Sequence, residues 1–102
     1  METRTAEPTT VGEMLREEFL KPMNITQEQL AKAMGVTRKV VNQIVNNHRR
    51  LSVDEAVLLA RLFEVDDHFW VNVQAVHDRW LAKQISAKLE VPSLAQLLAI
   101  KA

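Results

Sequence analysis

Four short stretches of the chain share one helix-start pattern, a hydroxyl residue followed three positions later by Glu or Gln. They run from Thr10 to Glu13, from Thr26 to Gln29, from Ser52 to Glu55 and from Ser93 to Gln96. In this pattern the two side chains satisfy free backbone donors at the first turn of a helix. Apolar residues at helical spacing follow each stretch, so the sequence predicts an all-α fold.

The apolar spacing between these starts predicts five helices and a short last one. A proline at position 22 and a glycine at position 35 mark ends of the first two helices. The predicted helices run from Val11 to about Lys21, from Gln27 to about Ala33, from the residue after an N-cap at Thr37 to about Asn46, from Val53 to about Glu64, from a cap at Asp66 or Asp67 to about Ile85, and from Leu94 to Ile100. The predicted organisation is a flexible lead-in at residues 1–9, one domain at 10–85 and a tail at 86–102.

Composition indicates one small domain without redox chemistry. The 102 residues include 13 basic and 13 acidic side chains and no cysteine, which is typical of a reducing compartment. The polar N-terminus lacks the apolar core of a signal peptide, and no apolar run could cross a bilayer. We therefore expect a cytoplasmic protein without membrane contact.

An enzyme is not predicted, because the chain has no glycine-rich phosphate loop and no serine with a suitable histidine and acid around it. No catalytic residue and no cofactor are expected. The three histidines, His48, His68 and His77, lack the paired spacing of a zinc site, so no metal is predicted either. The acids beside His68 are interpreted as a helix cap.

One segment is stripped of negative charge although the chain as a whole is neutral. From Gln29 to Val53 there is no acid, and the segment carries Lys32, Arg38, Lys39, Arg49 and Arg50. A carboxylate there would repel the closely spaced phosphates of a DNA duplex. The alternative interpretation is a solvated amphipathic helix that merely happens to be basic.

The spacing of the segment favours DNA. Two short helices joined through Met34, Gly35 and Val36 form a helix-turn-helix unit, whose second helix enters the major groove. Its inner face would carry Val41, Ile44 and Val45, and its outer face offers basic and amide groups that can pair with base edges. Gln27 is placed to hydrogen-bond a phosphate.

Three stretches resemble a known family. "TQEQLAKAMGVTRKVVNQIVNN" is similar to the helix-turn-helix of the Xre/Cro-like repressors. "VGEMLREEFLKPMNIT" and "FWVNVQAVHDRW" resemble the flanking segments of the HigA antitoxins, or VapI-like proteins. The resemblance covers roughly residues 10–82. One departure is Asn47, where the family usually has Gly, but Asn tolerates the left-handed backbone that this position could need.

The resemblance implies a five-helix, lambda repressor-like DNA-binding domain with a short C-terminal extension. It also implies a homodimer on double-stranded operator DNA, and a HigB toxin partner, a RelE-like mRNA endonuclease that the antitoxin neutralises while repressing the shared operon. The DNA-binding positions carried over are Gln27, Thr37, Arg38, Lys39, Asn42 and Gln43, with Asn46 and Arg49 close by.

The fifth helix carries more apolar surface than one core-facing stripe requires. We interpret Phe69 and Val73 as core, and predict that Val76, Trp80 and Leu81 form a dimer contact; the alternative is that all of them are core. A two-fold dimer would hold two recognition helices about one DNA turn, ~34 Å, apart.

Two rival functions stay open. One is a stand-alone repressor of the same family without a toxin. The other is a protein-interaction module that has lost DNA binding, against which the retained polar side chains of the third helix argue. Glu13, Glu17 and Glu18 could meet a basic toxin, but such a run of acids is usually a solvated face.

Overall fold

The computed structural model describes residues 6–101, and within this range the chain is helical and has no strand. Residues 1–5 of the predicted lead-in and Ala102 lie outside the described residues. The helices are α1 (Val11–Glu13, continued by a π-helical segment, Met14–Leu20), α2 (Gln27–Met34), α3 (Arg38–Val45), α4 (Val53–Leu62), α5 (Phe69–Lys88) and α6 (Leu94–Lys101). The prediction of an all-α fold is confirmed.

The four helix-start patterns form the predicted caps. Thr10, Thr26 and Ser52 each accept a bond from the backbone N–H three residues on, at 3.0–3.1 Å. The Glu or Gln at that third position accepts from the cap residue's own N–H at 2.9–3.2 Å. Ser93 and Gln96 make the same exchange at 3.0 and 2.9 Å ahead of α6.

The first helix differs from the prediction of a regular α-helix. After its first turn it widens to the π form over Met14–Leu20, and the Lys21 N–H donates to the Arg16 carbonyl five residues back at 3.0 Å. The apolar residues of this segment pair at a spacing of five. Leu15 and Leu20 are both buried, and Met14 and Phe19 are both half-buried against the core. An α-helix would not keep these pairs on one face.

The predicted acidic cap of the fifth helix is wrong. His68 occupies the cap position of α5 without a side-chain cap bond. Asp66 lies two residues before the cap position; its carboxylate accepts from the His68 N–H at 2.8 Å, and its carbonyl accepts from the Phe69 N–H at 2.9 Å. At the end of α4, Glu64 adopts φ +57°, so the helix stops two residues before the predicted end.

The core lies between the first helix and the start of α5. Its largest fully buried side chains are Trp70, Leu15, Ile44, Leu59 and Val41. Aromatic rings close one end, where the Phe19 ring lies 4.9 Å from that of Phe63 and 5.2 Å from that of Trp70. The predictions that the inner residues of α3 are buried and that Phe69 and Val73 pack on the core are confirmed.

Beyond this core the chain is extended. The molecule measures 62 × 34 × 23 Å, and its radius of gyration is 18.3 Å, against ~13 Å expected for a compact domain of this length. The elongation comes from the second half of α5 and from α6, in which most side chains are exposed. Within residues 6–101, no helix is both long and apolar enough to span a membrane.

Candidate nucleic-acid interface

The helix-turn-helix unit is built as its sequence predicts. α2 ends at Gly35, which adopts φ +74°, a conformation that favours glycine. Thr37 then caps α3, and its hydroxyl accepts from the Val40 N–H at 3.3 Å. The connection is therefore short and fixed at both ends, which sets the angle at which α3 leaves α2.

α3 packs on the domain through its inner face. Val41, Ile44 and Val45 are 0, 1 and 3% exposed, against Leu30, Ala31 and Met34 of α2, which are also buried. Burying side chains of this size contributes ~1.5–3 kcal/mol each. The opposite face is consequently a rigid, solvent-facing surface.

That outer face holds most of the predicted DNA-contacting residues. The exposed side chains are Thr37, Arg38, Lys39, Asn42 and Asn46, and Gln43 is half-buried beside them. Arg38 and Lys39 form no ion pair among the described residues. Two unpaired cations on an acid-free helix face form a local positive field that favours a polyanion.

Three amides form a chain across the unit. The Asn42 amide donates to the Gln27 side-chain oxygen at 3.2 Å, and the Asn46 amide donates to the Asn42 side-chain oxygen at 3.2 Å. The Asn46 amide also reaches the Asn42 carbonyl at 2.9 Å. This chain aligns Gln27 of α2 with the outer face of α3. Sequence reasoning placed all three residues at the interface but did not reveal that they bond to one another.

The two arginines of the loop after α3, of which Arg49 is predicted to lie close to DNA, are both paired with carboxylates. Arg49 Nη2 donates to Glu55 Oε2 at 2.6 Å, and the two Nη groups of Arg50 donate to both carboxylate oxygens of Asp78 at 2.8 Å. Neither acid lies in the acid-free segment, so only the fold brings them there. Both arginines are thereby oriented and partly neutralised.

The arginine pairs change the acidity of their partners. The Arg50 hydrogen bonds hold the pKa of Asp78 below its ordinary value, and the same bonds raise the pKa of Arg50. Burial of Glu55 opposes its ionisation, but hydrogen bonds from Arg49 and Ser52 outweigh it and leave the pKa of Glu55 lowered. Both carboxyls therefore stay ionised at neutral pH.

The C-terminal end of α3 is latched to α1. Asn47 adopts φ +58°, as expected for a position where Gly is usual. Its side-chain oxygen accepts from the Gly12 N–H at 2.9 Å, and its amide donates to the Thr10 hydroxyl at 3.0 Å. Arg16 adds a bond to the Val45 carbonyl at 3.3 Å. No sequence pattern indicates this latch, since its partners lie at least 29 residues apart.

The latch requires a glycine at position 12. A Cβ there would overlap the Val45 carbonyl oxygen and come within 2.9 Å of the Ile44 carbonyl oxygen. Both are backbone atoms of the recognition helix and cannot move independently of it. Gly12 therefore sets how closely the first helix approaches α3.

The residues predicted at the dimer contact lie around the middle of α5. Val76 and Leu81 are 43 and 41% exposed, and Trp80 is half-buried with its ring 5.5 Å from the His77 ring. His77 also bonds Glu7 at 2.7 Å, so the last part of the lead-in lies along α5. The exposure is what a contact surface requires; the dimer itself stays a prediction.

The histidines include one acid-flanked cluster. Ligand atoms of Asp66, Asp67 and His68 lie within 4.8 Å of one another, and all three residues are exposed. The carboxylates bond the imidazole at 2.9 and 2.8 Å. The Asp66 hydrogen bond raises the pKa of His68, and the His68 backbone bond lowers the pKa of Asp66. These contacts form the turn that precedes α5.

The chain is similar to known helix-turn-helix proteins. A family model described as helix-turn-helix matches residues 16–70. The antitoxin HigA-1 of Vibrio cholerae is 44% identical over 72% of this chain and 69% of its own length. An uncharacterised HTH-type transcriptional regulator of Haemophilus influenzae is 42% identical over 74% of this chain and 71% of its own length.

A solved structure gives the same result. The Pseudomonas aeruginosa antitoxin HigA, determined with the higBA promoter, is 38% identical, covers 81% of this chain and 96% of its own, and superposes with a TM-score of 0.71. Members of this family are transcription regulators and antitoxins rather than enzymes. The chain belongs to the HigA family of Xre/Cro-type helix-turn-helix proteins.

Proposed function

We propose that this protein is a HigA-type antitoxin that binds operator DNA as a homodimer, represses its own operon and neutralises a HigB-type toxin. The observation that carries the DNA-binding part is the outer face of α3, which is acid-free, rigidly backed and lined with unpaired Arg38 and Lys39. The Pseudomonas HigA with its promoter supports it as a relative of the same fold.

On DNA, the exposed side chains of α3 would divide between base edges and phosphates. Arg38 and Lys39 suit guanine or phosphate, and Asn42, Gln43 and Asn46 suit adenine edges. Thr37, at the start of α3, and Gln27, whose amide nitrogen has no partner among the described residues, suit phosphates. These roles are assigned by chemistry and by position on the helix.

The arginines after α3 would contact DNA from a paired state. Arg49 is held by Glu55 and Arg50 by Asp78, yet each guanidinium has five N–H donors. Free donors of a paired Arg49 can still reach a phosphate, although the neighbouring carboxylate reduces the net charge it offers. We therefore assign Arg49 a smaller share of DNA affinity than Arg38.

A homodimer supplies what a single unit lacks. One recognition helix reads few base pairs, and a two-fold pair of them reads an inverted repeat. The apolar surface formed by the exposed Val76 and Leu81 and the half-buried Trp80 on α5 is the proposed contact. The proposed contact lies on the same helix as Asp78, which pairs with Arg50 of the loop that follows α3.

Toxin neutralisation rests on the relatives. The Vibrio relative is an antitoxin by name, and the family resemblance supplies the HigB-type partner. The proposed site of action is the cytoplasm, where operon and toxin meet.

The test is to express the native operon with a tag on this chain and to identify what co-purifies by mass spectrometry. A small basic protein at fixed stoichiometry, together with retention of the operon's own promoter fragment, is the expected result. Promoter binding without any such protein would leave a stand-alone repressor. That second candidate is favoured by the Haemophilus relative, which is named as a transcriptional regulator alone.

A further inference from the structure

The C-terminal arm, which we define as residues 89–101, exposes apolar side chains to solvent. Leu89, Val91, Leu94 and Leu98 are 61, 73, 75 and 65% exposed. The arm contains α6, an eight-residue helix, and helices this short are not stable in water without tertiary packing. The arm is thus a surface that needs a partner.

The arm does not pack against its own domain. α5 is continuous for 20 residues, which is about 30 Å, and only its first turns reach the core. The radius of gyration of 18.3 Å reflects this projection, and every side chain from position 89 to position 99 is exposed. A second copy of the chain can supply the missing surface.

A suitable surface lies at the other end of α5. An open groove of about 560 Å³ is floored by Met14, Phe19 and Phe69 and bordered by Glu13, Glu17 and Glu18. We name it the Glu-bordered groove. Arg16 and Lys21 pair with Glu17 at 2.8 and 3.0 Å, whereas Glu18 has no ion pair among the described residues.

The arm and the groove are complementary. The groove is apolar in its floor and acidic at its border. The arm is rich in leucine and carries one lysine and one glutamate, and the last turns of α5 before it carry Lys83 and Lys88 and no acid. The arm therefore matches the apolar floor of the groove, and the lysines that precede it match the acidic border. Opposite charges around an apolar contact favour one partner and one orientation.

The geometry of α5 also brings them together. Phe69, Val73, Val76 and Trp80 recur along one side of this helix, so the groove and the proposed dimer contact share a face. If two copies of α5 pack antiparallel about a two-fold axis near residue 79, residue 89 of one copy lies opposite residue 69 of the other. Each arm then begins beside the partner copy's groove.

We propose that the arm of one copy docks into the Glu-bordered groove of a second copy, so that two reciprocal contacts extend the α5 dimer. This rests on the homodimer of the proposed function. This docking would cover the exposed apolar side chains of α6. It would also give a binding role to the acidic side chains of the first helix that lie near Phe69, the first residue of α5.

Disulfide trapping tests the contact directly, because the chain has no cysteine of its own. Glu18→Cys and Leu98→Cys proteins are mixed under mild oxidation, and the peptide joining positions 18 and 98 is quantified by mass spectrometry. Glu18→Cys with Val53→Cys is the matched control, since Val53 is 70% exposed and Leu98 65%. We expect cross-linking between 18 and 98 to be roughly tenfold faster or more; equal rates would overturn the proposal.

A charge placed on the arm tests how much the arm contributes to the affinity of the dimer. Leu94→Asp and Val53→Asp both put an acid at the first position of a serine-capped helix, where it suits the helix dipole. We expect Leu94→Asp to raise the dimer dissociation constant roughly tenfold or more in sedimentation equilibrium, and Val53→Asp to leave it unchanged. A dimer unaffected by Leu94→Asp would refute arm docking alone, and a wild-type protein that is monomeric would refute the homodimer as well.

Discussion

α3 and α6 are both eight-residue helices that begin after a capping hydroxyl residue, yet one exposes polar side chains and the other exposes apolar ones. α3 buries Val41, Ile44 and Val45 and presents polar and basic side chains outward. α6 leaves Leu94, Leu97 and Leu98 in solvent. α3 is fixed by its own domain, so the face it offers to a partner is polar. α6 has no such support, so the face it offers is apolar and needs a second surface to cover it.

The largest expected effect comes from loosening the helix that is fixed by its own domain. Gly12→Ala would force a methyl group into the carbonyls of Val45 and Ile44, because neither backbone atom can move alone. We expect a loss of about 3 kcal/mol in the free energy of unfolding, measured by urea denaturation. Gly35→Ala is the control: nothing lies within 4 Å of its Cβ, and only the φ of +74° is unfavourable, which costs ~1 kcal/mol. Equal losses would show that the latch does not hold α3.

The second effect concerns the proposed dimer contact on α5. Trp80→Asp would place an unpaired carboxylate in the proposed dimer contact, so we expect dimerisation to weaken by roughly 2–3 kcal/mol. Light scattering and sedimentation over a concentration series measure it. Arg79→Asp, an exposed neighbour on α5, is the matched control. A Trp80→Asp protein that remains dimeric at low micromolar concentration would move the contact elsewhere.

The third effect tests the polar face itself. Arg38→Ala should cost ~1–3 kcal/mol at the cognate operator and relax base preference, and Gln43→Ala should behave in the same way. Arg61→Ala removes an exposed cation of α4, outside the helix-turn-helix unit, and should have little effect. Fluorescence anisotropy on operator and scrambled duplexes gives both affinities. If both duplexes lose the same affinity, these side chains do not read bases.

The smallest effect concerns the Arg50–Asp78 pair, which connects the loop after α3 to α5. Its side chains are 68 and 42% exposed, so Asp78→Asn should cost less than about 1 kcal/mol of unfolding free energy at pH 7. Because the folded pKa of Asp78 is lowered, this contribution is present above its unfolded pKa and is lost as pH falls through the folded value.

Chemical denaturation at pH 7 and pH 3 should therefore show a difference between Asp78→Asn and wild type that shrinks in acid. Glu18→Gln, which removes the charge of an exposed acid without an ion pair in the described range, is the matched control. A difference of the same size at both pH values would mean that the pair does not act through its charge.

Local signals account for the parts of the fold that were predicted. A capping box and a left-handed glycine act within four residues, so Thr26 and Gly35 show where α2 begins and ends. The π-helical segment was also readable, since Met14 and Leu15 recur as Phe19 and Leu20 at a spacing of five. It was missed because apolar pairs were matched only to the α-helical spacing.

The parts that were not predicted depend on contacts between distant residues. Asp78 reaches Arg50 across 28 positions, and Asn47 reaches Gly12 across 35. No pattern in either segment indicates its partner, because pairing depends on how the helices pack. The side chains of the outer face of α3 were predictable as a group, but the arginine pairs after it were not.

The central claim is that the acid-free face of α3 binds the operator of this protein's own operon. The most direct measurement is a titration of the wild-type protein against its own promoter fragment and a scrambled duplex, at several salt concentrations. We predict tighter binding to the promoter and affinity for both duplexes that falls steeply with salt, as phosphate contacts require. Equal affinity for the two duplexes, or no binding at low salt, would contradict the account.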